Sequence, residues 1–292
     1  MQRQTPHFRE VGAGPAVVCL HSSASSSGQW RTLMERLAPR FRVLAVDLYG
    51  SGRTPAWPGD RPMQLDDQVA LLDAVFRAAG DRFHLVGHSF GGAIALKAAL
   101  VDPSRLLSLV LYEPVLFSVL MADAPESDAA REILAVRDDT IRMIDQGDLE
   151  ASAARFIDYW MGSGAWIATP ENRKPAIAAA MRAVKPEWHA AFSEPAPLHA
   201  FAAIDVPTLL LTGTESKASA RAVARLLTTV LPQARPVDLE GVGHMAPVTH
   251  PERVGPLIER FLEAVQPAPA VDAARARRPS SGATAKWRYA TT

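Results

Sequence analysis

Leu85-Val86-Gly87-His88-Ser89-Phe90-Gly91-Gly92 reads as the end of a strand that passes through a tight turn directly into a helix. Upstream, Asp81 to Val86 carries a short apolar strand pattern. Downstream, Ala93-Ile94-Ala95-Leu96-Lys97-Ala98-Ala99-Leu100 is built from strong helix formers. So sharp a turn forces its central residue into a strained conformation. The residues two positions to either side must then be small, a demand that Gly87 and Gly91 meet. The turn lifts the Ser89 hydroxyl off the sheet edge as a candidate nucleophile. It also sets the Phe90 N–H at a helix N-terminus, where it can stabilise a developing oxyanion.

Outward from this turn, strand-like runs recur at Ala16 to Leu20, Phe41 to Val46, Phe83 to Val86, Leu106 to Leu111, Thr208 to Leu211 and Pro236 to Leu239. Helical patterns alternate with them near Gln29 to Leu37, Leu65 to Ala79, Ala93 to Val101, Ala218 to Leu231 and Pro251 to Val265. The last opens on Pro251, suited to a first helical position, followed by Glu252 in the first turn, where the helix dipole favours a negative charge. The alternation predicts an α/β fold: a mostly parallel twisted sheet with helices on both faces.

Residues 118–203 break the pattern with a stretch rich in Ala, charged residues and large aromatics and without a convincing strand. The expected organisation is a core in two parts, 1–117 and 204–266, interrupted by a helical insertion over 118–203. Leaving the sheet after one strand and returning before another, the insertion is expected to cover the carboxyl ends of the strands, where open α/β sheets bind ligands. From residue 267 to 292 the chain turns to Pro, Ala, Ser and Arg without periodicity, a composition expected of a disordered basic tail.

Lys plus Arg equals Asp plus Glu at 31 each, and no basic stripe interleaved with aromatics precedes the tail, which argues against nucleic acid as a partner. The single cysteine, Cys19, lies within an apolar run and is expected to pack as a small buried residue in a reducing compartment. No secretory signal pattern and no apolar run of membrane-spanning length occurs, so a cytoplasmic protein without a membrane partner is expected. The expected partner is a small-molecule substrate, with no cofactor and no metal. The oligomeric state is not legible.

A serine hydroxyl needs an imidazole to accept its proton and a carboxylate to orient that imidazole. Of eight histidines, His244 lies in the Gly-rich stretch Glu240-Gly241-Val242-Gly243-His244, between the last strand pattern and the last helix, where a loop can reach the sheet's carboxyl edge. His88 adjoins Ser89 and cannot easily turn back to it, which points to a structural role. His84, His189, His199 and His250 show no partner pattern.

These segments resemble the α/β-hydrolase family in the expected order: Leu20-His21-Ser22-Ser23, Asp47-Leu48-Tyr49-Gly50-Ser51-Gly52-Arg53-Thr54, the Ser89 turn, and Gly241-Val242-Gly243-His244. The resemblance covers about residues 7–265. It implies the fold, a Ser-acid-His triad and a hydrolase-type activity. It further implies that the Ser23 N–H joins that of Phe90 in the oxyanion hole, although Ser22 stands where the family usually has glycine. The Asp47 turn is read as structural.

The acid departs from the common family pattern. Many relatives carry an aspartate three residues after the glycine that ends the Thr208 strand, a position held here by Ser216. Others, including some haloalkane dehalogenases and epoxide hydrolases, carry a glutamate at the end of the preceding strand, and Leu111-Tyr112-Glu113-Pro114 offers one. Glu113 is therefore the expected acid, with Glu215, in the first turn of the following helix, as the alternative. An alkyl ether on serine would be a dead end whereas an acyl-serine is readily hydrolysed. The expected substrate is thus an ester, lactone or thioester, or the ketone of a carbon–carbon bond hydrolase. A lyase, an acyltransferase and a non-catalytic ligand receptor are the alternatives. Phe117, Met121, Phe156, Tyr159, Trp160, Met161, Trp166, Met181, Trp188 and Phe192 in the insertion favour a small or medium apolar group.

Overall fold

Seven strands form one sheet in the order β1-β3-β2-β4-β5-β6-β7 in the computed structural model, which describes residues 4–265. They are β1 (Phe8–Val11), β2 (Ala16–Leu20), β3 (Arg42–Val46), β4 (Phe83–His88), β5 (Leu106–Tyr112), β6 (Thr208–Gly213) and β7 (Ala234–Leu239). All neighbours pair in parallel except β1, which runs antiparallel to β3. β2, β4 and β6 are buried along their whole length, as strands covered on both faces must be.

The helices are α1 (Arg31–Leu37), α2 (Leu65–Ala79), α3 (Phe90–Val101), α4 (Phe117–Asp123), α5 (Asp128–Asp145), α6 (Leu149–Met161), α7 (Ala165–Ala168), α8 (Lys174–Ser193), α9 (Ala218–Val230), α10 (Ala246–Thr249) and α11 (Pro251–Ala264). The sheet separates two cores. Val17, Cys19 and Val43 face α1 and α11, while Ala16, Val18 and Leu20 face the larger cluster containing α2, α3 and α9. Alternation along β2 assigns its side chains to these two layers. α3 is buried around almost its entire circumference, which explains why its sequence is apolar without a polar face. Cys19 is buried and unpaired, and burial raises its thiol pKa far above the ordinary range.

Between β5 and β6 the chain contains α4 to α8 and a short 3₁₀ segment at Leu198–Ala203, with no strand. This helical stretch begins at Phe117, one residue before the expected boundary at 118. Three sequence expectations are corrected. β1 was not anticipated, because Phe8-Arg9-Glu10-Val11 is a largely exposed edge strand without an apolar rhythm. α3 starts at Phe90 rather than Ala93, taking Gly91 and Gly92 into its first turn. Glu215 lies in the turn before α9, not in the first turn of that helix. The tail proposed for 267–292 lies outside the described residues. Among the described residues, no helix is long and apolar enough to cross a membrane.

Candidate active site

β4 delivers Ser89 with φ 56° and ψ −118°, a conformation that L-residues rarely adopt. The flanking glycines are steric necessities. A Cβ on Gly87 would lie 2.5 Å from the Gly91 carbonyl oxygen, and one on Gly91 would lie 2.3 Å from that of Leu20. β5 ends similarly, with Glu113 at φ 43°. Two strained non-glycine residues thus sit at the carboxyl ends of adjacent central strands.

The loop after β7 brings His244 to both. Its Nε2 lies 2.9 Å from Ser89 Oγ and its Nδ1 lies 2.7 Å from Glu113 Oε2. A carboxylate only accepts, so Nδ1 carries the ring proton and leaves Nε2 free to accept from the serine hydroxyl. The Gly213 N–H donates to Glu113 Oε1 at 2.6 Å, so both carboxyl oxygens of this fully buried group are satisfied. Ser89 and His244 are also buried, at 4% and 2% exposure. Glu215, the alternative acid, is exposed, and the ring nitrogen it would need is occupied by Glu113. Ser216 has no carboxyl to offer the imidazole, and its buried hydroxyl makes no hydrogen bond.

Tyr112, Gln29 and His88 hold the His244 loop, and the structural role expected for His88 is this one. Tyr112 Oη donates to the Gly243 carbonyl at 2.8 Å, and His88 Nε2 donates to the His244 carbonyl at 2.9 Å. Gln29 Nε2 donates to His88 Nδ1 at 3.1 Å, while Gln29 Oε1 accepts from the Ser22 N–H and hydroxyl at 3.1 and 2.9 Å. The Ser22 hydroxyl therefore adds a second bond to Gln29 beside the backbone one that the family's glycine could also make. His88 stays neutral, its pKa held well below the ordinary imidazole value by burial and then by the neighbouring His244. His21 is similarly lowered to about 4 by burial. Its Nδ1 donates to the Ser22 carbonyl at 2.7 Å and its Nε2 accepts from the Leu48 N–H at 3.1 Å. His88 gave a sequence signal by its place beside Ser89, whereas Tyr112 and Gln29 are recognisable only through their contacts.

Asp47 accepts from the N–H groups of Ser27 and Arg53 at 2.7 and 2.9 Å, ties down the turn that follows β3 and stands apart from Ser89. The N–H groups of Ser23 and Phe90 make no hydrogen bond to other described residues, and both residues line one cavity with Ser89. That cavity is about 10 Å³, room for about one water. Of the insertion's aromatics, Phe156, Trp160 and Trp188 line it. Tyr159 instead hydrogen-bonds Ser219, Met181 is core, and Met161 is exposed. Trp188 also lines an open groove of about 430 Å³ with Arg137, Ile141, Lys185 and Phe192. Among the described residues, no group of three or more His, Cys, Asp or Glu could hold a metal ion.

A largely parallel sheet that presents a buried serine, imidazole and carboxylate as one hydrogen-bonded chain at its carboxyl edge defines a nucleophile-elbow α/β protein. The chain belongs to the alpha/beta hydrolase fold family, whose model matches residues 15–251. It is 34% identical over 119 residues to a pimeloyl-(acyl-carrier protein) methyl ester esterase of Nitrosomonas europaea, a match spanning 41% of this chain and 45% of that protein. It is 37% identical over 121 residues to a 2-hydroxy-6-oxo-2,4-heptadienoate hydrolase of Pseudomonas putida, spanning 40% of this chain and 44% of that one. These alignments thus span under half of either relative. Among solved structures, an alpha/beta hydrolase from Sphaerobacter thermophilus is similar with a TM-score of 0.66 and 26% identity, covering 88% of this chain and 96% of that one.

Proposed function

We propose that this protein is a serine hydrolase that cleaves an ester-type bond of a small to medium substrate through an acyl-serine intermediate. The observation that carries the reading is the continuous hydrogen-bonded chain from Ser89 through His244 to Glu113. In this mechanism His244 Nε2 takes the Ser89 proton as Oγ attacks the carbonyl carbon, and the Glu113 carboxylate stabilises the imidazolium that results. The Phe90 and Ser23 N–H groups receive the oxyanion. Collapse expels the alcohol, lactone oxygen or thiol with the proton returned by His244, and a water activated by the same imidazole then hydrolyses the acyl-serine. Helices α4 to α8 act as a lid whose aromatic side chains shape the pocket.

Carbon–carbon bond hydrolysis of a ketone is the second reading, supported by the similarity to the Pseudomonas putida hydrolase. A panel of esters, lactones, thioesters and cleavable diketones separates the two. For either, a fluorophosphonate probe should label Ser89, and Ser89→Ala should stay folded while losing at least ~10³-fold in kcat/KM. Undiminished turnover by Ser89→Ala would overturn the proposal.

A further inference from the structure

The inner cavity holds polar groups that the proposed triad does not use. Glu187 on α8 is 1% exposed, and neither of its carboxyl oxygens makes a hydrogen bond of ordinary geometry, the Ser23 hydroxyl being near enough only to act on it weakly. Its neighbour Trp188, 4% exposed, has an indole Nε1 that makes no hydrogen bond. Both residues line the cavity that contains Ser89, Ser23 and Phe90. The rest of the lining, Val115, Phe156, Trp160 and Ala191, contributes no charged side chain. An unsatisfied buried carboxyl carries a desolvation cost that an apolar residue at the same place would avoid.

Resting on the hydrolase reading above, we propose that Glu187 and Trp188 form a recognition subsite for an uncharged oxygen acceptor, a keto or hydroxyl group, on the substrate attacked by Ser89. Burial pushes the Glu187 carboxyl up to about 8, opposed in part by the Ser23 hydroxyl, so near neutral pH it carries a proton to donate. The subsite then offers two donors, a carboxyl O–H and an indole N–H. An ammonium group cannot accept from either, and a substrate carboxylate would enter a cavity whose lining has no cation to balance it. A neutral oxygen satisfies both. Glu187, Trp188 and Ser89 line the same cavity, so once a substrate widens it this oxygen and the scissile carbonyl belong to the same molecule.

The charged groups on the elements packed against α8 are engaged elsewhere. Lys97 of α3 pairs with Asp66 and Glu194, Arg155 of α6 with Asp139, and Asp158 accepts from the Trp166 N–H. On α5, Arg137 lies over the Phe192 ring and Asp145 pairs with Lys185 of α8; Asp123 ends α4 at the surface. On α8 itself, His189 hydrogen-bonds Gln64. The titratable pair closest to the cavity is His244 with Glu113, reached through Trp160.

The test compares chromogenic esters of straight-chain acids with the same esters carrying a keto group in the acyl chain, taken as a ratio of kcat/KM from pH 6 to 9. The wild type should favour the keto ester about 10-fold near neutral pH, the worth of one well-placed hydrogen bond. That preference should decay as pH rises through about 8, where the carboxyl loses its donor proton. Glu187→Gln should keep the preference without the pH dependence, because the amide still donates. Glu187→Leu should abolish the preference while still cleaving the plain ester. Equal treatment of both esters by the wild type, or an unchanged preference in Glu187→Leu, would overturn the proposal. So would preference for an amino-substituted ester that strengthens with pH. Tryptophan fluorescence titration of Ser89→Ala with the same esters reads recognition without turnover. A keto preference there with no cleavage by the wild type would sink the hydrolase reading and leave the subsite standing; no preference there would sink the subsite.

Discussion

The Trp160 indole lies against the His244 imidazole, ring centroids 4.1 Å apart and planes 29° from parallel. Trp160 and Trp188 both line the cavity of about 10 Å³ beside Ser89. A substrate larger than a few atoms must displace one of these indoles.

Trimming Trp160 should therefore widen the acyl pocket without touching the hydrogen-bonded chain. Trp160→Phe is expected to keep the fold and raise kcat/KM for long-chain esters about 3- to 10-fold relative to short ones, with phosphonylation of Ser89 by a small probe little changed. Ester chain-length profiles and labelling rates check this. An unaltered chain-length preference would remove Trp160 from the pocket wall.

The two carboxylates near the β5 and β6 ends should behave differently. Glu113→Gln removes the charge that stabilises the imidazolium and should lower kcat by ~10²–10⁴-fold. Glu215→Gln, altering an exposed side chain, should stay within a few-fold of wild type. Comparable losses in both variants would contradict the geometry around Nδ1.

Tyr112 and His88 are positioning residues for the His244 loop. Tyr112→Phe and His88→Gln should each reduce kcat roughly 10-fold while KM stays within about 2-fold, since the hydrogen bonds they make end on backbone rather than in the substrate pocket. The Ser89 labelling rate should fall in parallel. A change confined to KM would argue for a binding role instead.

Acid should unfold the protein through its buried neutral imidazoles. Burial lowers His21 and His84 from 6.5 to about 4, and burial with the neighbouring His244 holds His88 well below its ordinary value. Above pH 6.5 these groups are neutral in both states. Below it the unfolded chain binds protons that the folded one refuses, so stability present above 6.5 is lost as pH falls toward 4. At ~1.4 kcal/mol per unit and group, His21 and His84 together remove about 3 kcal/mol by pH 5.5, a large part of a typical stability, and His88 acts in the same direction. Melting temperature against pH should drop steeply there.

Glu187 acts in the opposite direction. Its raised carboxyl keeps a proton that the unfolded chain releases above 4.5, so its contribution is whole below that value and lost progressively up to about 8. Glu187→Gln should consequently be increasingly more stable than wild type as pH rises from 5 to 8, by up to ~1.4 kcal/mol per unit. A stability difference independent of pH would show that the carboxyl ionises normally in the folded protein.

The sequence alone carried the α/β alternation, most of the strands and the Ser89 turn, because each rests on local physics: apolar runs for doubly covered strands, helix formers after a glycine-flanked bend. It left β1 hidden, since an exposed edge strand needs no apolar rhythm. It narrowed the acid to Glu113 or Glu215 without geometry to separate them. Tertiary structure decided what depends on distant segments meeting. Glu113 and His244 are 131 residues apart in sequence and 2.7 Å apart in space, while Gln29 and Tyr112 acquire their roles only through hydrogen bonds that no spacing encodes. Glu187 is the sharpest case. In sequence it is one more acidic residue on a helix, and only the packing of α8 over Ser89 turns it into a buried carboxyl without a hydrogen bond of ordinary geometry.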